Sequence, residues 1–129
     1  MHSLILRKSM SLLGIGSAKI DLILPKEIYY PGESIQAYFL IKGGTIKQQM
    51  KRIECDLVMF DYVKGTETVI DTTMILSSRD IAAEEVNEIP FFFQLPAFPS
   101  PKGMDYQFKT RLTFDKGMAS KDSDLIQII

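Results

Sequence analysis

Apolar and polar residues alternate along most of this chain, in short segments separated by turns. In "YQFKTRLTF", residues 106–114, every second residue suits a buried face, which is the period of a strand with one side against a core. The same period recurs in "SAKIDLIL", "KRIECDLVMFDYV" and "IPFFFQLP", while "TETVIDTTMILSS" is rich in β-branched residues. About seven or eight short strands without a long helix among them predict an all-β, immunoglobulin-like antiparallel β-sandwich.

The segment "SIQAYFLIK", residues 34–42, has apolar residues on both faces. Its more uniformly apolar face contains Ile35, Phe39 and Ile41, and we expect this face to pack on the opposing sheet. Tyr38 and Leu40 then point outward, where another surface can cover them.

Two prolines fall within the apolar segment "IPFFFQLP". Pro90 and Pro96 share one face, opposite the face that carries Ile89, Phe91 and Phe93. Because proline cannot donate to a hydrogen-bond ladder, at least part of this strand should lie near an edge, an end or a bulge of its sheet.

Residues 1–16 form a separate amphipathic segment ahead of the sandwich domain, which we assign to residues 17–129. Leu6, Met10 and Leu13 have helical spacing, so a short helix is predicted over residues 3–13, ended by the glycines of "GIG". This helix either covers an open end or edge of the domain, or anchors it to a partner or membrane surface with Arg7 and Lys8 as its basic edge. So short a segment would bind a bilayer only weakly.

Composition and charge argue against nucleic-acid binding, secretion and a membrane span. The chain has 129 residues, enough for one self-sufficient core, and 15 basic against 16 acidic residues give a formal net charge of −1. Such a charge offers no field to attract nucleic acid. Arg7 and Lys8 interrupt the apolar run that a secretion signal would need, and no segment approaches the roughly 20 apolar residues of a membrane span. We therefore expect a cytoplasmic protein.

The residue types needed for catalysis or metal binding are scarce. Cys55 is the single cysteine and His2 the single histidine, so neither a catalytic triad nor a zinc site can be assembled, and Cys55 is expected to pack as a buried hydrophobe. Asp115, Asp122 and Asp124 are interpreted as a solvated turn rather than a calcium site, because Lys116 and Lys121 are interleaved with them. The sequence predicts no enzyme activity and no cofactor.

Several short motifs occur in a particular order along the chain. They are "GIGSAK" at residues 14–19, "PGE" at residues 31–33 and the glycine pair at residues 43–44, followed by "IPFFFQLP", "KTRLTFDKGMASKDSD" and "LIQII". In this order the motifs resemble the bacterial sporulation-control protein family, whose members have an arrestin-like fold. The resemblance extends over nearly the whole chain and implies no catalytic residues.

The resemblance also implies a partner for this domain. Members of the family resemble two β-sandwiches in tandem with a further C-terminal segment, so this chain looks like the N-terminal arrestin-like domain, either within a longer protein or encoded alone. Outward apolar residues would then serve as an interface, although the N-terminal segment or ordinary surface exposure also accounts for them. The candidate interface residues are Tyr38, Leu40, Val58, Phe60 and Phe92 on strands, with Leu6, Met10 and Leu13 in the N-terminal segment.

Two functional hypotheses follow. The first is a non-enzymatic regulatory or scaffold module that works by binding another protein, with self-association into a dimer or higher oligomer through an uncovered strand edge or the outward face. The second is a β-sandwich that binds a small ligand or sugar on Tyr29, Tyr30 and Tyr106.

Overall fold

The computed structural model describes residues 8–12, 16–97, 103–116 and 119–129, and of residues 8–12 it describes the backbone alone. These residues contain strands and no α-helix. The strands are β1 (Lys8–Leu12), β2 (Lys19–Ile23), β3 (Ile28–Tyr29), β4 (Ser34–Lys42), β5 (Gln48–Asp61), β6 (Thr66–Leu76), β7 (Asp80–Ile81), β8 (Val86–Gln94), β9 (Met104–Phe114) and β10 (Ala119–Ile128).

The strands form two sheets, which confirms the predicted all-β sandwich. The large sheet has the antiparallel order β1-β10-β9-β5-β6, with β3 added parallel to β10 and β7 antiparallel to β5. The small sheet has the antiparallel order β2-β4-β8. β8 is therefore an edge strand, as its prolines predicted.

The core lies between the inner faces of the two sheets, and these are the faces that the alternation predicted. Ile35, Phe39 and Ile41 of β4 are buried, as are the alternate residues of β9 from Tyr106 to Phe114. Phe91 and Phe93 of β8 pack edge-on against Phe108 of β9, with ring centroids 6.0 and 5.3 Å apart. These contacts join the two sheets.

The N-terminal helix predicted from the sequence is wrong for Lys8–Leu12, which is strand β1. β1 pairs antiparallel with β10, and Met10 lies opposite Asp122. Without β1, β10 would present an unpaired row of backbone groups, and a tertiary ladder that satisfies them outweighs a weak helical preference. Residues 3–7 and 13 of the predicted helix, with Leu6 and Leu13, lie outside the described residues.

Gly43 and Gly44 end β4 where three stretches of backbone meet. The Gly43 N–H donates to the Glu85 carbonyl at 2.7 Å, and the Glu84 N–H donates to the Gly44 carbonyl at 2.9 Å. A Cβ on Gly44 would overlap the carbonyl oxygen of Gly16, and one on Gly43 would lie 2.9 Å from the Glu84 nitrogen. Glycine is required here because neighbouring backbone occupies the space of a side chain.

Candidate protein-binding face

An apolar row crosses the outer surface of the small sheet. The strand registers place Ile23, Tyr38 and Pro90 side by side on β2, β4 and β8. Leu40 and Phe92 lie two residues along their strands from Tyr38 and Pro90, so they flank the row on the same surface. Phe92 is 68% exposed, Pro90 is exposed, and the other three are half-buried. We call these five residues the outer apolar face.

Charged and polar residues border the outer apolar face. Lys19 and Lys42 are paired at one end of β2 and β4 and are exposed, and Glu88 is exposed beside Leu40. Gln36 lies opposite Phe92 at the other end. An apolar centre with a charged rim is the usual anatomy of a protein interface.

The register that creates this face is fixed at both ends of β4. At one end, Gly43 is bonded to Glu85, and at the other the Leu95 N–H donates to the Glu33 carbonyl at 3.0 Å. A slip by one residue would bury Tyr38 and expose Phe39, which is now fully buried. The core therefore holds the outer apolar face in place.

Tyr38, Leu40 and Phe92 are the predicted interface residues that the fold brings together. Val58 and Phe60 lie on β5 of the large sheet, so the strand candidates do not form one surface. Val58 is 2% exposed. The Lys109 ammonium forms an ion pair with the Glu67 carboxylate at 2.6 Å. Lys109 on β9 lies opposite Asp56, and Glu67 on β6 lies opposite Phe60. The ion pair therefore crosses β5 between these two positions, over Val58.

The remaining large-sheet and N-terminal candidates are separate from the outer apolar face. Phe60 is half-buried against Tyr62, with ring centroids 4.9 Å apart. Met10 lies in β1, at the far end of the large sheet from β5 and β6. The use of these residues as an interface stays a prediction.

The tyrosines proposed as a ligand platform do not form one. Tyr29 is fully buried and Tyr106 is 4% exposed, whereas Tyr30 is 64% exposed. The Tyr29 hydroxyl donates to the Lys26 carbonyl at 2.8 Å, and burial raises the pKa of this phenol. Two of the three rings are unavailable for stacking against a sugar.

Buried side chains cap the edge of β2 that faces away from β4. The N–H groups of alternate residues Ala18, Ile20 and Leu22 donate to Gln48 Oε1 at 2.7 Å, Ser120 Oγ at 3.1 Å and Asp122 Oδ2 at 2.7 Å. These three polar side chains take the place of a neighbouring strand. Sequence reasoning missed this role, although Ser120 and Asp122 fall at inward-facing positions of β10.

Asp115, Asp122 and Asp124 do not all lie in a solvated turn, as the sequence suggested, because Asp122 and Asp124 belong to β10. Asp122 is 2% exposed, so that interpretation is wrong for this residue, while Asp115 is exposed. Within the described parts of the chain, no group of three or more Asp, Glu, His or Cys residues could hold a metal ion.

Cys55 is buried on the inner face of β5, as predicted. Its Sγ accepts a hydrogen bond from the Thr110 hydroxyl at 3.5 Å. Burial is the main reason that the pKa of this thiol rises to about 12, so the group remains protonated at neutral pH.

Among the residues that the structure describes, no helix has the length and apolar character that a membrane crossing requires.

The strands and their exposed face define an all-β sandwich protein with an apolar patch on its smaller sheet. The chain belongs to the Spo0M family, because the family model described as SpoOM protein matches residues 6–129. This confirms the family indicated by the sequence motifs.

The relatives include the sporulation-control protein spo0M of Bacillus subtilis, which is 33% identical over 128 residues. That match covers 93% of this chain and 50% of the relative, so this chain spans about half the length of the curated relative it matches. The crystal structure of Spo0M from Bacillus subtilis superposes with a TM-score of 0.77 at 29% identity, over 88% of this chain and 50% of that one.

A more distant structural match shows the fold alone. A CARDB domain from Pyrococcus furiosus, solved in complex with di-metal ions, superposes with a TM-score of 0.56 at 10% identity. The match covers 92% of this chain and 95% of that one.

Proposed function

We propose that this chain is a non-enzymatic regulatory module of sporulation control, with an arrestin-like sandwich, that acts in the cytoplasm by binding another protein through its outer apolar face. Its membership of the Spo0M family and its similarity to a sporulation-control protein support the regulatory role. The scarcity of nucleophile and base pairs in the sequence supports a role in binding rather than catalysis.

The exposure of Phe92 is the observation that carries this proposal. Phe92 is 68% exposed and lies beside the row formed by Ile23, Tyr38 and Pro90. Exposed aromatic side chains in an apolar patch with a charged rim are frequent anchors of protein interfaces. A partner that covers this face would remove the apolar surface from water.

A photo-cross-linking amino acid in place of Phe92 tests this proposal in the native cell during sporulation. Leu76 is the matched control position, because it is a 75% exposed apolar residue on the large sheet. We expect a discrete adduct from position 92 and none from position 76. An adduct of twice the chain mass of 14.6 kDa would come from self-association through the same face, so the partner is recognised by an adduct of a different mass.

Two results would contradict binding at the outer apolar face. If position 92 yields no adduct, or if both positions yield the same adducts, the outer apolar face is not where the partner binds. Phe92→Ser should also reduce sporulation as strongly as deletion of the gene, whereas Leu76→Ser should leave it unchanged.

A further inference from the structure

The small sheet covers only part of the large one. β8 packs over β9 at Phe108, and β2 lies on the other side of the small sheet, near β10 and β9. The outer edge of β8 therefore faces β5 and β6, which extend past it. Along this open side, four apolar residues pack against the core but remain only half-buried, namely Met59 on β5, Ile70 and Ile75 on β6 and Ile89 on β8.

Backbone hydrogen bonds at the two ends of β8 show which of its groups face that edge. The Leu95 N–H donates to Glu33 and the Glu85 carbonyl accepts from Gly43, so odd-numbered residues along β8 direct their backbone groups towards β4. In an antiparallel ladder the even-numbered residues then direct their N–H and C=O groups outward. The backbone nitrogen of Pro90 therefore faces away from β4. Because proline has no N–H, the missing donor falls on the outer edge and the hydrogen bonds between β8 and β4 are intact.

Side chains cap outward N–H groups on two other strand edges, β2 at the far side of the small sheet and β6 in the large sheet. Gln48, Ser120 and Asp122 accept the outward N–H groups of β2. On β6, Asp71 Oδ1 accepts the Thr72 N–H at 2.8 Å, and a bulge interrupts the pairing with β5 at Ile70. β8 lacks only the Pro90 donor, and no strand of the described residues pairs with its outer edge.

We propose that an extended segment of a partner protein adds to β8 as a fourth strand of the small sheet. This inference rests on the proposed function and specifies how the partner binds. Main-chain hydrogen bonds would supply affinity, and alternate side chains would supply specificity. The residues of the segment that point towards the core are apolar and cover Ile70, Ile75 and Ile89. On its outer face, the segment has a Lys or Arg beside Glu88 and an apolar residue beside Phe92.

A second copy of this chain fits the edge less well than a foreign segment does. A two-fold pairing of β8 with β8 brings Pro90 from both copies into one ladder, so two donors are lost instead of one. A register centred on Glu88 also places two glutamates opposite each other. A foreign strand meets one proline and can supply a cation to Glu88.

Random dodecapeptides displayed on phage and selected on the full chain are the probe for this edge. We expect enriched sequences with apolar residues at every second position and Lys or Arg between them. Each selected peptide is then made with N-methyl groups on alternate residues in either phase. One phase should abolish binding, because those N–H groups face β8, and the other should retain it, because those N–H groups face solvent.

Matched variants of the protein locate the binding edge. Glu88→Pro removes an outward N–H and should weaken the peptide at least about tenfold, whereas Glu88→Gln, which removes only the charge, should weaken it less than about fivefold. Met74→Pro alters the edge of β6 in the same way and should leave the affinity unchanged. Thermal unfolding by circular dichroism checks that each variant folds.

Three results would overturn strand addition. They are the absence of peptides enriched over an empty support, equal binding by both N-methylated phases, and loss of affinity in Met74→Pro but not in Glu88→Pro. If the adduct at position 92 persists alongside any of these results, the protein-binding role stands and only the strand mechanism is lost. If that adduct is also absent, both proposals fail.

Discussion

At the scale of single residues, burial decides whether a chemically versatile side chain can react. Cys55 is 1% exposed and its thiol has a pKa of about 12, against an ordinary value of 9.0. The thiolate is the nucleophilic form, so at neutral pH its population is about a thousandfold below that of an exposed thiol. The lone cysteine is therefore a packing residue.

This predicts an unreactive thiol in the folded protein. At pH 8 we expect alkylation of Cys55 by iodoacetamide to be at least about 100-fold slower in the native chain than in denaturant, because both thiolate content and access are reduced. Mass spectrometry over time measures the two rates. Native alkylation as fast as in denaturant would show that Cys55 is accessible.

The raised pKa of Cys55 makes the folded state less stable as the pH rises. Because the folded pKa lies above the unfolded one, the contribution of Cys55 is fully present below about pH 9 and is lost as pH rises towards about 12. In that window the free energy of unfolding of the native chain should fall by about 1.4 kcal/mol per pH unit more steeply than that of Cys55→Ala.

At the scale of elements, the capped edge of β2 shows how side chains can complete a sheet. Gln48 is buried, accepts the Ala18 N–H and donates to the Ser17 hydroxyl at 3.1 Å. Gln49 beside it is exposed and donates to the Ser78 carbonyl at the surface. Adjacent residues of one type therefore have different structural roles.

We expect Gln48→Ala to lower the free energy of unfolding by about 2 kcal/mol, because it leaves the buried Ala18 N–H without its acceptor. Gln49→Ala is the control and should change stability by less than about 0.5 kcal/mol. Urea unfolding followed by circular dichroism compares the two. A loss in Gln48→Ala no larger than about 0.5 kcal/mol would mean that the Gln48 cap does not stabilise the fold.

At the scale of the whole molecule, the structure limits the surfaces through which two copies of the chain could associate. Side chains cap the N–H groups along the edge of β2, a bulge and the capped Thr72 N–H interrupt the edge of β6, and β8 pairs poorly with itself at Pro90. Phe60 lies on the opposite sheet from Tyr38 and Leu40, so these predicted interface residues do not form one face. The outer apolar face remains for self-association.

We therefore expect the weight-average mass measured by light scattering to rise with concentration towards that of a dimer with an interface above about 1,000 Å². Phe92→Ser should keep the chain monomeric, because it removes the most exposed ring of the outer apolar face, while Leu76→Ser should not. A chain that stays monomeric at every concentration, or a dimer that Phe92→Ser leaves intact, contradicts this expectation.

Sequence alone determined most of the longer strands, their buried faces and the family. Alternation in β4, β8 and β9 follows directly from the two-residue period of a pleated strand, so local spacing was enough. The glycine pair at residues 43–44 was one of the ordered motifs that indicated the family, and the backbone junction it forms was seen only in the structure.

Only the tertiary structure decided which elements became neighbours. Lys8–Leu12 became a strand because β10 offered an unpaired edge, and Asp122 became a buried cap because β10 passes beside β2. Val58 became covered through an ion pair between strands on either side of it. Each outcome depends on contacts between residues far apart in the chain, and the periodicity of a single segment contains no information about them.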